Sequence, residues 1–274
     1  MPSMQSTLKL NDGHEMPLLG FGTGQLNELT NDALGEAIAA GYRLIDTATR
    51  YNNETRVGAA VRASGVPRAS LFITTKIWPD RFDSVREAFS ENLGRLQMDY
   101  VDLYMLHWPA PWQNNYVDAW RQLIRLREEG RSRSIGVANF DAEQIQRLAD
   151  ETGVVPAVNQ VEMHPHFQQT ALRAFHAAHG IVTEAWSPLG AGRILDDPSL
   201  TAIARRHGKT TAQVILRWLY DSGVVAIPKS ATPQRIRANL DLFDFDLTPA
   251  DIGSIAALDS PDGRIGASPE AFPR

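Results

Sequence analysis

Short apolar runs alternate along the chain with longer amphipathic stretches, regularly enough to predict elements. Strand-length runs cover residues 18–20, 44–46, 71–75, 101–106, 134–138, 157–161, 181–185 and 224–227. Between them, apolar positions recur with helical spacing over 31–40, 54–63, 84–96, 116–129, 141–151 and 170–179, then over 199–207 with 211–220. A last pair of helices is expected at 233–240 and 249–258. Gly41, Gly65, Gly130, Gly153, Gly180 and Gly223 each follow a helical stretch, where a left-handed cap favours glycine. Ahead of this cycle, residues 7–10 and Glu15-Met16 flank Asn11-Asp12-Gly13, which suits a primed hairpin turn.

Eight strand–helix units in 274 residues favour a (β/α)8 TIM barrel with an N-terminal β-hairpin over an open doubly wound sheet. No linker, low-complexity tract or shift of composition divides the chain, so one domain over 1–274 is expected. In such barrels the reactive groups come from the C-terminal ends of strands and the loops that follow.

The second predicted strand, Leu44-Ile45-Asp46, ends on a carboxylate; Tyr51 follows in the loop, and Asn52-Asn53-Glu54 signals the start of a helix. The third strand ends in Lys76 and the fourth in His107-Trp108-Pro109. Taken singly, Asp46 reads best as a turn cap, Tyr51 as a half-buried wedge and His107 as a satisfied histidine in a strand-end niche. Lys76 resists such a reading, because a lysine at the end of a buried strand is costly unless paired. Four such residues at adjacent strand ends favour a single site. A phenol with an ordinary pKa near ~10 is a poor acid until a cation lowers it. Lys76 beside Tyr51 supplies that cation, and Asp46 beside Lys76 keeps it charged. Tyr51 then protonates a developing alkoxide while His107 holds and orients the same oxygen. The chain has no cysteine and no Gly-x-Ser-x-Gly elbow, so the natural source of the attacking electron pair is a hydride from a reduced nicotinamide.

Composition narrows the setting. A hydrophobic share of 43% and a charged share of 22% are ordinary for a globular protein with a sizeable core. A net charge of -5 gives no basic footprint for nucleic acid and no polybasic membrane anchor. Without cysteine, disulfides and thiolate metal sites are excluded. The first residues, Met1-Pro2-Ser3-Met4-Gln5, lack a signal-peptide pattern, and no apolar run approaches the ~20 residues of a membrane span. A cytoplasmic protein, monomeric by default, is expected.

The sequence resembles the aldo-keto reductase superfamily nearly end to end, and its bacterial diketogluconate-reductase-like branch in particular. Besides Asp46, Tyr51, Lys76 and His107, the match covers Leu19-Gly20-Phe21-Gly22-Thr23, Asp46-Thr47-Ala48 with Asn53-Glu54, and Leu106-His107-Trp108-Pro109. It runs on through Ile135-Gly136-Val137-Ala138-Asn139-Phe140, Asn159-Gln160-Val161-Glu162 with His164-Pro165, Ser187-Pro188-Leu189-Gly190, Ile227-Pro228-Lys229-Ser230, and Arg235 with Asn239. The resemblance implies an NADPH-dependent carbonyl reductase with the cofactor extended across the barrel mouth. It makes Tyr51 the acid, Lys76 and Asp46 its tuners and His107 the orienter. Gly22 and Thr23 lie along the cofactor path, Asn139 and Gln160 hold the carboxamide, and Trp186 stacks on the nicotinamide. Ser187, Leu189 and Gly190 line the pyrophosphate, Lys229, Ser230 and Arg235 grip the 2′-phosphate, and Asn239 meets the adenine. Two cations just after the last strand also fit a phosphate on their own chemistry and favour NADPH over NADH. Ala138 and Ala238 depart from the family pattern, where Ser and Glu are usual, so cofactor binding weaker than submicromolar is expected.

Phe21, Trp78, Trp108 and Trp112 are the candidate walls of the substrate pocket, with Trp112 equally a packed rim residue. Small α-dicarbonyls, aromatic aldehydes and keto-sugar acids all fit such a mouth. Two other functions remain open: a Schiff-base lyase with Lys76 as nucleophile, and a non-catalytic NADPH-sensing subunit. Several signals are discounted. Gly20-Phe21-Gly22-Thr23-Gly24 lacks a third dinucleotide-loop glycine, with Gln25 in its place. Gly208-Lys209-Thr210 lacks the first P-loop glycine, and His164-Pro165-His166 lacks a third clustered metal ligand. The tail 264–273 has no periodicity and is expected to fold over the pocket or to fray.

Overall fold

A computed structural model describes residues 3–24, 26 and 31–270. The hairpin is present as antiparallel β1 (Thr7–Lys9) and β2 (Glu15–Pro17). Eight parallel strands then pair in chain order: β3 (Gly20–Gly22), β4 (Leu44–Asp46), β5 (Phe72–Ile77), β6 (Val101–Leu106), β7 (Ser132–Ala138), β8 (Val158–Glu162), β9 (Val182–Trp186) and β10 (Val225–Ala226). The ring closes where Leu19 bridges Ala226 and the Gly22 N–H donates to Pro228 O at 3.2 Å. Only glycine fits that seam, since a Cβ on Gly22 would lie 2.8 Å from Ile227 O.

Helices α1 (Asn31–Ala40), α2 (Glu54–Ala63), α3 (Val85–Leu96), α4 (Tyr116–Glu128), α5 (Ala142–Thr152), α6 (Thr170–Ala178), α7 (Pro198–His207), α8 (Thr211–Asp221), α9 (Pro233–Ala238) and α10 (Pro249–Ala256) surround the strands. Local chemistry sets their ends. Asp141 with Gln144 and Thr210 with Gln213 form capping boxes at α5 and α8. The six glycines expected to follow helices all have left-handed φ, from 66° to 117°. Thr210 is thus a helix cap, and Lys209 pairs with Asp241 and Asp244, which accounts for the P-loop mimic.

Strand alternation makes two cores. Outward side chains such as Ile45, Ile73 and Tyr104 meet the helices in the larger one. Leu44, Phe72, Leu103, Val158 and Val225 fill the barrel from inside and are plugged by Leu10 and Met16 of the hairpin. Toward the C-terminal ends the same inward positions turn polar, at Asp46, Lys76, Gln160 and Glu184, all essentially buried. The apolar plug thus forces any chemistry to the other end.

Most element ends differ from the sequence expectation by one or two residues, and two of these shifts bear on the site. The first barrel strand is Gly20–Gly22 instead of 18–20, because pairing with β4 and contact with β10 create it despite the weak strand propensity of Gly-Phe-Gly. β5 continues to Ile77, so Lys76 stands inside a strand; an inward ammonium reads as a strand end only in sequence.

Candidate active site

Lys76, with no exposed side-chain surface, donates from Nζ to Asp46 Oδ1 at 2.7 Å, Asp46 Oδ2 at 2.6 Å and Thr47 O at 3.0 Å. Burial pulls its pKa down most, but Asp46, with Tyr51 and Glu184 adding to it, outweighs burial and the net direction is up. Lys76 is therefore a fixed ammonium.

Tyr51 ends a 3-10 turn, Thr49–Tyr51, whose backbone is pinned from behind. Thr49 Oγ1 donates to Lys76 O and accepts from Asn92, which also binds buried Glu54. Glu54 accepts in addition from Thr75 and Arg95. Lys76 Nζ lies 5.3 Å from the Tyr51 ring centroid. Burial raises the phenol's pKa, Lys76 opposes it, and burial wins. The expected net lowering of that pKa is therefore corrected: Lys76 moderates an acid that the surrounding wall keeps protonated.

His107 meets the Tyr51 ring edge to face at 5.8 Å between centroids, and the Trp78 ring at 5.1 Å. Burial, Lys76 and Arg50 hold its pKa well below 6.5, so the imidazole is neutral. Its buried Nδ1 has no partner. Arg50 lies 5.3 Å over the Trp78 ring, exposed, and has no carboxylate partner among the described residues.

The ends of β7, β8 and β9 bring amides together. Asn139 donates to His107 O at 3.0 Å and accepts from Trp186 Nε1 at 2.8 Å. Gln160 Nε2 donates to Asp46 Oδ2 at 2.9 Å and to Glu184 Oε2 at 2.8 Å, which uses both its N–H groups. Asn139 and Ser187 hold φ of 63° and 49°, left-handed values that non-glycine residues adopt at a cost. Strain after β7 and β9, the two strands that flank β8, is a functional-site signal.

A cavity of about 1060 Å³ runs from this cluster across the mouth. Tyr51, His107, Trp108, Asn139, Gln160 and Trp186 line one end. Ser187, Leu189 and Gly22 line its course, and Lys229, Ser230, Arg235, Ala238 and Asn239 line the other end. Lys229 and Arg235 are exposed there without carboxylate partners among the described residues. Gly190 lies buried beside that course, with left-handed φ.

Other candidates fall elsewhere. Phe21 does not reach the mouth: strand alternation turns it outward, 5.5 Å from Tyr42. Thr23 is buried and donates to Asp46 O, so it braces the β4 end. Trp78 stands behind His107, and Trp112 sits half-buried in the turn Pro111–Gln113, outside the cavity lining. Asn53 does not cap α2; its side chain ties Thr47 to Thr23 O.

Glu184 and Asn92 escaped the sequence reading, which named Glu54 and Glu162 within motifs but gave them no role in the site. Glu162 accepts from Ile265 N at 2.5 Å and Gly266 N at 2.8 Å, and bonds buried His164 at 3.1 Å. The tail is thereby tied to the mouth, with Gly266 against the Trp186 ring; residues 271–273 and Gln25 lie outside the described residues. The His164-Pro165-His166 turn serves this tether, and no group of three potential metal ligands gathers among the described residues.

Fold and mouth together define a barrel enzyme for carbonyl chemistry. The chain belongs to the aldo/keto reductase family, whose model matches residues 18–260. It is 49% identical over 272 residues to an aldo-keto reductase of Mycolicibacterium smegmatis, covering 98% of each chain. It is 48% identical to the methylglyoxal reductase DkgA of Escherichia coli strain K12, over 97% of this chain and 98% of that one. Among solved structures, a mutant of Gox0644 in complex with NADPH superposes with a TM-score of 0.94 at 43% identity, covering 98% of this chain and 99% of that one. An aldo/keto reductase from Brucella melitensis gives 0.89 at 49% identity, over 93% and 99%.

Proposed function

We propose that this chain, as one barrel domain over 1–274, reduces aldehydes and reactive ketones to alcohols with NADPH, and that Tyr51 supplies the proton. The observation that carries the reading is a protonated phenol beside a locked ammonium and a neutral imidazole, at one end of a long cavity with two cations at the other that have no carboxylate partner among the described residues. Residues fit the cofactor along that length. Lys229, Ser230 and Arg235 offer donors for a 2′-phosphate, Asn239 an amide for the adenine, and Trp186 an aromatic wall for the nicotinamide. Gln160, with both N–H groups consumed, offers its carbonyl oxygen to a carboxamide N–H. When bound, NADPH supplies a hydride to the carbonyl carbon.

The chain's own groups do the rest. His107 is neutral, and burying a lone pair at Nδ1 costs less than burying an N–H without an acceptor, so its proton belongs on Nε2. That N–H holds the carbonyl oxygen. Tyr51 transfers its phenolic proton to this oxygen as charge develops there, and Lys76 stabilises the phenolate left behind. Asp46 keeps Lys76 charged and in place. The same bonds speak against a Schiff-base lyase, which needs Lys76 as a free neutral amine.

Small α-dicarbonyls, aromatic aldehydes and keto-sugar acids are the proposed substrates, with exposed Arg50, which has no carboxylate partner among the described residues, favouring those that carry a carboxylate. NADPH oxidation followed against a panel of these carbonyls tests the reading. Turnover with several is expected. NADPH binding without turnover across the panel contradicts it and fits a non-catalytic subunit.

A further inference from the structure

Glu184 takes no part in the proton transfer above, yet it stands in the middle of the site. It projects into the barrel from β9, fully buried, with Gln160 of β8 and Val225 of β10 as its register neighbours. Oε2 accepts from Gln160 Nε2 at 2.8 Å, while Oε1 has no partner. The charged and titratable groups that face it are Asp46 from β4, Lys76 from β5 and Tyr51 from the turn after β4. β10 presents only the apolar Val225, and the inward neighbour two residues back on its own strand is Val182.

An ionised carboxylate calls for two or more donors, and in this layer it would receive one. The only nearby cation among the described residues, Lys76, directs its bonds to Asp46 and Thr47 O. A second negative charge here would lie beside Asp46 in a sealed interior, without a counterion of its own. A neutral carboxylic acid keeps the bond from Gln160 and avoids that charge.

We propose that Glu184 works as a neutral carboxylic acid and is a positioning residue for the proposed cofactor carboxamide: with Asp46 it takes up both N–H groups of Gln160, so that Gln160 turns only its carbonyl oxygen to the mouth. This rests on the reductase reading given above. Loss of the Glu184 proton places a negative charge beside Asp46 and close enough to Tyr51 to hold the phenolic proton more tightly, so carbonyl reduction declines on the alkaline side. Burial and Asp46 push the Glu184 carboxyl up to about 8, which puts this decline in a measurable range.

Three measurements on the full-length protein decide it. In infrared difference spectra of Glu184→Gln against wild type, without substrate, the wild type should show the C=O stretch of a neutral carboxylic acid at pH 6 and lose it through about pH 8. Absence of that band at pH 6, or its persistence in the variant, overturns the proposal. In pH profiles of kcat/KM, each scaled to its own maximum, the wild type should fall roughly tenfold per pH unit above about 8, and Glu184→Gln should lack that limb. Identical limbs overturn it. In NADPH titrations read by tryptophan fluorescence, Glu184→Leu, which removes the acceptor for Gln160, should weaken affinity roughly tenfold, and Glu184→Gln, which can still accept, should restore most of it. Equal losses in the two variants overturn it. A wild type that turns over no carbonyl at pH 7 would instead refute the reductase reading, and the infrared result would still decide the state of Glu184.

Discussion

Replacing Lys76 by methionine puts the strongest single demand on the site. The side chain is fully buried and makes three hydrogen bonds, two of them to a carboxylate that is itself 2% exposed. The substitution conserves volume, so the loss is electrostatic: Asp46 keeps one N–H from Gln160 and faces Glu184 with no cation between them. Breaking a buried pair by removing one partner costs about 3–5 kcal/mol, because the remaining charge is left uncompensated. At roughly 2–4 °C per kcal/mol for a chain of this size, the thermal midpoint should fall by about 10 °C. Urea unfolding at pH 7 gives the free energy directly. The double variant with Asp46→Asn removes both charges and should recover most of the loss, giving a coupling energy of a few kcal/mol. A single variant within about 1 kcal/mol of wild type, or a double variant as unstable as the single, would refute the claim that the pair is a mutually compensated unit.

The remaining expectations concern neighbouring parts of the mouth. A Cβ on Gly266 would lie 2.4 Å from the Trp186 ring, so Gly266→Ala should displace the indole and raise the NADPH dissociation constant roughly tenfold by fluorescence titration; unchanged affinity speaks against Trp186 as the nicotinamide wall. Lys229→Ala and Arg235→Ala should each weaken NADPH roughly fivefold, discounted for exposure, and leave NADH nearly unaffected; equal losses for both cofactors would move these cations away from the 2′-phosphate. Glu184 keeps its proton to about pH 8 when folded but loses it near 4.5 when exposed, so between those values the folded state binds more protons and stability falls as pH rises. The advantage of Glu184→Gln in urea midpoint should therefore grow from pH 5 to pH 8, and a constant difference contradicts the assignment.

Much of the fold was legible because periodicity is a local property. The helices at 31–40 and 54–63 and the strand at 44–46 fall where the apolar pattern puts them. Elements made by pairing were harder to read: Gly20–Gly22 becomes a strand only through its neighbours, and Phe21 looks like a mouth aromatic until alternation turns it outward. Asp46, Lys76 and His107 were visible as polar residues where apolar strands should end. Glu184 and Glu162 carried a weaker form of the same signal, each two residues from another inward side chain on its own strand, Trp186 and Gln160. What they do depends on register between strands and on the returning tail, and neither is written in local sequence. The direction of the Tyr51 pKa was misjudged for a related reason: the cation was readable, but the depth of burial that outweighs it was not.

The most direct test of the account is Tyr51→Phe, measured by NADPH oxidation with a carbonyl substrate and, in parallel, by tryptophan fluorescence with NADPH alone. Removing only the phenolic oxygen should lower kcat by at least ~10²-fold, the lower end of what a positioned proton donor contributes, while NADPH affinity stays within about twofold. A phenylalanine variant that reduces the carbonyl at a rate near wild type would contradict the assignment of Tyr51 as the proton donor.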